Sequence, residues 1–371
     1  MRSKVLSLVI FASAMSMARG QESTVGYPAN TTIKGYAKRD RVLIGSGVNL
    51  LPTQLHEITG ARVGVGAEYN RTDLRFPVEQ GNVRTRIDSP SATVMGAYGN
   101  DYIALGVQGS YLQGVNTVRD FDNVESDVSS TKIIPQVALT PMKNFSIGLG
   151  IEVDSITMKE EFGESEAEYK LNPNRVIAGV AYHNEFLEVG VGYNTEAQDR
   201  DRSNDQGTAS LSLASTEGEN ERAIYLPAES RVYARANFSD KFSMLGAVSM
   251  ARYDANVNGA IGAFDKYQTE DRIAAKLIGT TWTSNRSRIA VAGEYKGGAT
   301  TAVGSEESGL GYRLANTYGG SVEGIVSINR QTYLGLLGGY TRGQRDDTIN
   351  GERYAIRESS MKFAGTVAAK F

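Results

Sequence analysis

The chain has 371 residues, 41 of them glycine, 19 tyrosine and one tryptophan, with 22% charged residues and a formal net charge of -3. Such a near-neutral balance leaves no footprint for nucleic acid, and the absence of cysteine excludes a disulfide scaffold, a thiolate metal site and a lipid anchor on cysteine. Two histidines, His56 and His183, are too few for a histidine-rich metal centre or an obvious Ser/His dyad, so no metal, cofactor or catalytic residue is expected.

Arg2 and Lys4 precede an apolar run from Val5 to Ala14, followed by Ser16-Met17-Ala18 and Ala18-Arg19-Gly20 as small-residue cleavage sites. Residues 1–20 therefore read as a removable secretory signal, which places the mature chain beyond the inner membrane. That run is too short for a spanning helix, and no later stretch approaches the roughly 20 apolar residues one needs. Residues 21–57 read as a separate segment before the wall, either a periplasmic tail or a plug. Val42, Leu43, Ile44, Val48, Leu50 and Leu51 are too apolar to favour a solvated tail, and Arg41 to Leu51 also reads partly as a strand.

From residue 58 onwards a period of two dominates. Val63, Val65, Ala67 and Tyr69 form one apolar column ending in tyrosine; Leu105 to Tyr111, Leu187 to Tyr193, Ile289 to Tyr295 and Leu334 to Tyr340 repeat its spacing. Each column is about 20 Å long as a strand, or about 15 Å of height at a tilt near 40°. Six short polar turns separate strands and carry flanking aromatic residues: Tyr98 and Tyr102, Phe145, Tyr182 and Phe186, Phe238 and Phe242, Trp282, and Tyr333. Aromatic rings at both strand ends match the two interfaces of a membrane. The intervening connections are long and polar, as at Arg119 to Ser130, Lys159 to Asn172, Glu196 to Ala228, Asp254 to Glu270 and Gln344 to Arg353. Pro135 falls inside a strand, where its missing donor calls for a bulge.

The chain ends on Met361 to Phe371, with Met361, Phe363, Val367 and Phe371 on one face and Lys362 and Lys370 on the other. A final strand closing on an aromatic residue resembles the last strand of Gram-negative outer-membrane β-barrels, porin-like proteins whose terminal aromatic is read by the barrel-assembly machinery. That resemblance implies an all-β fold: a transmembrane antiparallel barrel over residues 58–371, of about 14 strands with 12 or 16 as alternatives. Phe371 becomes the insertion signal, and outer-membrane lipids and lipopolysaccharide become partners. A segment the size of 21–57 before about 14 strands also resembles the long-chain fatty-acid transporter family, where it forms a hatch. Only Tyr27-Pro28-Ala29 echoes that family's Asn-Pro-Ala, so no substrate residue carries over.

The opposite strand phase supplies the interior: Arg62, Glu68, Lys132, Glu152, Asp154, Glu188, Arg231, Arg235, Arg272, Lys276, Arg288, Glu294 and Lys296, with Lys362 and Lys370. Facing hydrocarbon instead, a midplane Arg or Lys would cost roughly 2 to 4 kcal/mol. These groups are expected to line a path for passive or gated passage of small solutes. The excess of basic groups predicts mild anion preference. A packed interior of ion pairs in a non-conducting barrel, working through its outer loops, is the rival reading. Glycines in the same phase, Gly64 and Gly66, Gly148 and Gly150, and Gly190 and Gly192, would thin the inner wall for a hatch or a wider pore. Acidic pairs such as Glu160-Glu161, Asp199 with Asp201, and Asp346-Asp347 read as solvated loop charge, with cation bridging to lipopolysaccharide as the alternative.

Overall fold

The computed structural model describes residues 31–32, 41–42, 51–78, 81–118, 124–162, 165–202, 221–252 except 240, 267–297 except 270 and 285, 300–303, 311–349 except 314 and 330, and 352–371. The proposed signal and most of residues 21–50 lie outside them. The wall consists of β1 (Gly60–Val78), β2 (Gly81–Gly99), β3 (Ile103–Val118), β4 (Val124–Met142), β5 (Phe145–Phe162), β6 (Asn174–His183), β7 (Leu187–Asn194), β8 (Ala228–Asn237), β9 (Phe242–Arg252), β10 (Arg272–Ser284), β11 (Ser287–Lys296), β12 (Thr317–Ser327), β13 (Thr332–Ile349) and β14 (Glu352–Lys370). Each pairs antiparallel with its neighbours in sequence, and β14 pairs with β1 from Lys370↔Arg62 to Arg357↔Arg75. The result is a closed 14-stranded barrel. Closure pairs every strand on both sides and leaves no edge.

Apolar side chains point outward. Val65, Val94, Leu105, Leu149, Val232, Val291 and Leu336 are all exposed on the outer face. Tyr69, Tyr111, Tyr193 and Tyr340 ring the barrel at one end, and Tyr98, Tyr102, Tyr182, Phe186 and Phe238 ring the other, at the tight turns. Tyr333 departs from that expectation. It is 3% exposed and packs inside with Ile325 and Ala368, because it shares the phase of Gly335 rather than that of Leu334. The turns themselves repeat one device: Asn100, Asn184 and Asn329 each accept two backbone N–H groups through Oδ1 at 2.7–2.9 Å. This Asx geometry reverses the chain in minimal length.

The barrel is lopsided. Strands β13, β14 and β1 to β5 run 16 to 19 residues, whereas β6 to β12 run 8 to 13. About 9–11 tilted residues cross a bilayer, so one half rises well beyond it. Several expected loops are therefore ladder. Val124 to Ser130 belongs to β4, Ser165–Leu171 continues along β5 before β6, and Gln344 to Arg353 is mostly β13 and β14. With water on both sides of that part of the wall, no apolar alternation is needed to keep the backbone paired. Within the remaining connections, Ala197–Arg202 pairs with Glu221–Leu226, and Tyr267–Thr269, Thr300–Val303 and Gly311–Arg313 form a small separate sheet. Arg41–Val42 pairs with Thr31–Thr32 and not with the wall.

No bulge occurs at Pro135. The β4–β5 ladder omits Ile134 and Pro135 and resumes at Gln136↔Gly150 in unchanged register, while β3 still pairs with Pro135 at Val107. Pro90 does the same in β2, where pairing with β3 skips from Asp88↔Val115 to Ser91↔Leu112. A missing donor can be absorbed by a local gap as well as by an extra residue.

Candidate functional site

The interior is built around residues 51–58. A 3-10 turn at Pro52–Glu57, with proline in its first turn, sits inside the wall, and Leu51, Thr53, Gln54, Leu55 and Ile58 are fully buried. The segment packs against β2 to β6. Glycines make the room. A Cβ on Gly148 would overlap the Pro52–Thr53 backbone, one on Gly99 the Ile58 carbonyl, and one on Gly192 the Leu51 side chain; one on Gly106 would lie 3.0 Å from Leu55 Cδ2. Gly190 instead accepts the Tyr233 ring. Gly60, at φ 71°, takes the left-handed conformation that turns the chain from the interior into β1.

An apolar layer closes around this segment. Leu51 joins Ile134, Ile177, Tyr233, Leu245, Ala247, Ile278, Ala290 and Ala292, a cluster drawn from β4, β6 and β8 to β11. Leu55 and Ile58 join Met95, Ala104 and Ala138 on the other side. The two histidines also meet here: the rings of His56 and His183 stack with centroids 3.9 Å apart and planes 20° apart. His56 Nδ1 lies 2.5 Å from the Thr53 carbonyl.

The structure places every interior candidate on the inner face, and acids and bases meet there. Lys132 Nζ reaches Glu152 at 3.0 Å and Asp154 at 3.7 Å, and Ser130 Oγ donates to Asp154 at 2.6 Å. Glu152, with no exposed surface, also accepts from Arg175 Nη2 at 2.9 Å. Glu188 pairs with Arg235 and accepts from Tyr233 Oη at 2.8 Å. Arg231 pairs with Glu229, Lys276 with Glu294 at 3.7 Å, Arg288 with Glu323 at 3.7 Å and Lys362 with Glu68 at 2.9 Å. Arg272 donates to the Gly297 carbonyl and Arg62 to that of Ala61. Lys296 and Lys370 face the same interior, half-buried.

Three partners escaped the sequence reading. Arg175 lies near the start of β6, just past Pro173 and the expected Lys159 to Asn172 connection, although its phase matches the inward Ile177 and Ala181. Glu323 shares its inner face with Ile325, so alternation on β12 is weak. Glu229 opens β8 at a connection. With Glu323 and Glu229 added, Arg231, Arg235, Lys276 and Arg288 each face a carboxylate, which reduces the expected basic excess without removing it. Buried pairs of this kind roughly balance desolvation against attraction, so they order the interior more than they stabilise it. Among the described residues, no group of three or more His, Asp or Glu side chains could hold a metal ion. Phe371 stands exposed at the tight-turn end, its N–H bonded to the Ala61 carbonyl across the closing seam.

No known protein-family profile matches the sequence, and no curated protein matches it. Solved structures do. A Pseudomonas aeruginosa FadL homologue aligns at 12% identity with a TM-score of 0.64 over 86% of this chain and 92% of that one. The CymD monoaromatic hydrocarbon channel aligns at 12% identity and 0.58 over 87% and 91%, and the Pseudomonas putida toluene transporter TodX at 10% and 0.56 over 86% and 92%. The sequence resemblances to outer-membrane barrels and to the fatty-acid transporter architecture thus agree with the structure: this chain has the 14-stranded barrel fold of the FadL and TodX type.

Proposed function

We propose that the protein is a gated channel of the bacterial outer membrane for small, largely apolar solutes, with tight turns in the periplasm and long strands rising outside. The observation that carries this reading is the apolar layer around Leu51, which joins side chains from β4 to β11 inside the barrel and is fitted to the wall at Gly190 and Gly192. Such a layer obstructs ions and sugars yet is made of side chains that an aromatic or aliphatic molecule can displace. Structural neighbours named as a monoaromatic hydrocarbon channel and a toluene transporter favour the same solute class. The ion pairs of the interior favour a second reading, a barrel that conducts nothing and serves through its outer half.

Uptake by liposomes containing the purified protein separates the two. The channel reading expects toluene entry faster than in protein-free liposomes, with little glucose entry and low ion conductance in planar bilayers. Toluene entry no faster than in protein-free liposomes overturns it. The membrane setting has its own test: a fully paired barrel resists SDS until heated, so boiled and unboiled folded samples migrate differently.

A further inference from the structure

Beyond the tyrosine ring, the outer face of the tall half turns basic. Arg71 and Arg75 on β1, Arg84 and Arg86 on β2, Arg342 on β13 and Arg357 on β14 all continue the outward phases of Tyr69, Pro90, Tyr340 and Phe363. At the lower level the charges are matched within the chain. Arg86 Nε lies 3.3 Å from Asp73, Arg71 lies 3.9 and 3.8 Å from Asp73 and Asp88, and Tyr69 donates to Asp88. The upper level is different: Arg357 and Arg75 are direct cross-strand partners in one row across β14 and β1. Like charges placed directly opposite destabilise a sheet. Among the described residues, no carboxylate lies within ion-pair distance of Arg75, Arg342 or Arg357, and the outward Asp346 stands one alternation farther along β13.

Such a row is stable beside an anion. Arginine presents a planar fork that binds phosphate through two parallel hydrogen bonds, and adjacent strands at about 4.8 Å spacing place the two forks close enough for one phosphate to bridge them. Height selects among lipids. Arg75 follows Tyr69 by six positions, about 20 Å along the strand and about 15 Å above the aromatic ring at a tilt near 40°. A phospholipid headgroup layer, at about 5–8 Å, falls short of it. Sugars carrying phosphate, standing above the acyl region, reach it.

We propose that the Arg357–Arg75 pair, with Arg342 beside it, is a binding site for the phosphorylated saccharide of an outer-leaflet glycolipid, of the lipopolysaccharide class. The proposal rests on the outer-membrane reading. It orients the barrel by its tall half and gives that half a lipid neighbour of its own.

Full-length protein in zwitterionic detergent is titrated with three probes and followed by native mass spectrometry: phosphorylated lipopolysaccharide, the same material after chemical dephosphorylation, and phosphatidylglycerol. The phosphorylated form is expected to bind at least tenfold more tightly than either other probe, with affinity falling as salt rises. Arg75→Gln with Arg357→Gln removes that preference, and the corresponding lysine pair restores part of it. Equal binding of the phosphorylated and dephosphorylated forms, or a preference unchanged in the glutamine variant, overturns the site. Heat-dependent migration of the same samples keeps the two readings apart: if it persists without phosphate preference, only the site fails, whereas its absence in the unmodified protein overturns the membrane reading and the site with it.

Discussion

Leu51 and Gly192 share one volume: the Leu51 side chain occupies the place that a Cβ on Gly192 would take. Inner segment and wall are therefore complementary at the level of single atoms, and neither residue can grow without displacing the other. Gly192→Ala should loosen residues 51–58 and raise basal conductance, since overpacking a close-packed site costs about 1–3 kcal/mol. Leu51→Ala in the same chain should restore the low conductance by freeing the space. Single-channel recordings of both single variants and the double variant measure this coupling; additive effects would mean that the two positions do not meet.

Glu152 holds two cations in a site without solvent, Lys132 at 3.0 Å and Arg175 at 2.9 Å. Glu152→Gln keeps the shape and removes the charge, leaving both cations poorly compensated. A loss of about 3–5 kcal/mol is expected, seen as a lower denaturant midpoint for the folded band on unboiled gels. Adding Lys132→Met should recover part of that loss. A midpoint within error of the unmodified protein would show that the cluster is solvated.

The stack of His56 on His183 joins the inner segment to the end of β6. A stacked ring pair of this kind is worth about 0.5–1.5 kcal/mol beyond the area it buries. Glu188, the cross-strand partner of His183, faces the same interior but is engaged by Arg235 and Tyr233. The ring contact therefore ties residues 51–58 to the wall. His56→Ala should loosen that segment and raise basal conductance, and His56→Phe, which keeps a ring, should restore the low level. Unchanged conductance in His56→Ala would count against the stack as a tie.

Phe371 is 75% exposed, and its contribution to the wall is the backbone bond to Ala61. Deleting it should cost little stability in a refolded barrel while lowering the amount assembled in the outer membrane several-fold. Comparing the denaturant midpoint of refolded protein with the membrane level of expressed protein separates the two roles. Full membrane levels after deletion would remove the terminal aromatic as an assembly signal.

What the sequence determined by itself is the alternation. Period-two columns such as Val63 to Tyr69, six aromatic-flanked turns and the closing strand to Phe371 fix which face of each strand meets lipid, because a single residue slip would turn every apolar side chain inward. Hence the barrel class, a strand number of about 14 and most of the inward charges were legible from residue order, while Arg175, Glu229 and Glu323 were not. Tertiary structure decided what depends on partners distant in sequence. Nothing local marks Gly192 as the seat of Leu51, Arg175 as the partner of Glu152, or His183 as the neighbour of His56; the first and last pairs form where the wall curves around a short buried segment, and the second through the register of β5 on β6. Nor does sequence reveal the tall half of the barrel, where water on both faces removes the alternation that announces a strand, or the row that brings Arg357 and Arg75 together. Register is a property of the closed ladder, and only closure places β14 beside β1.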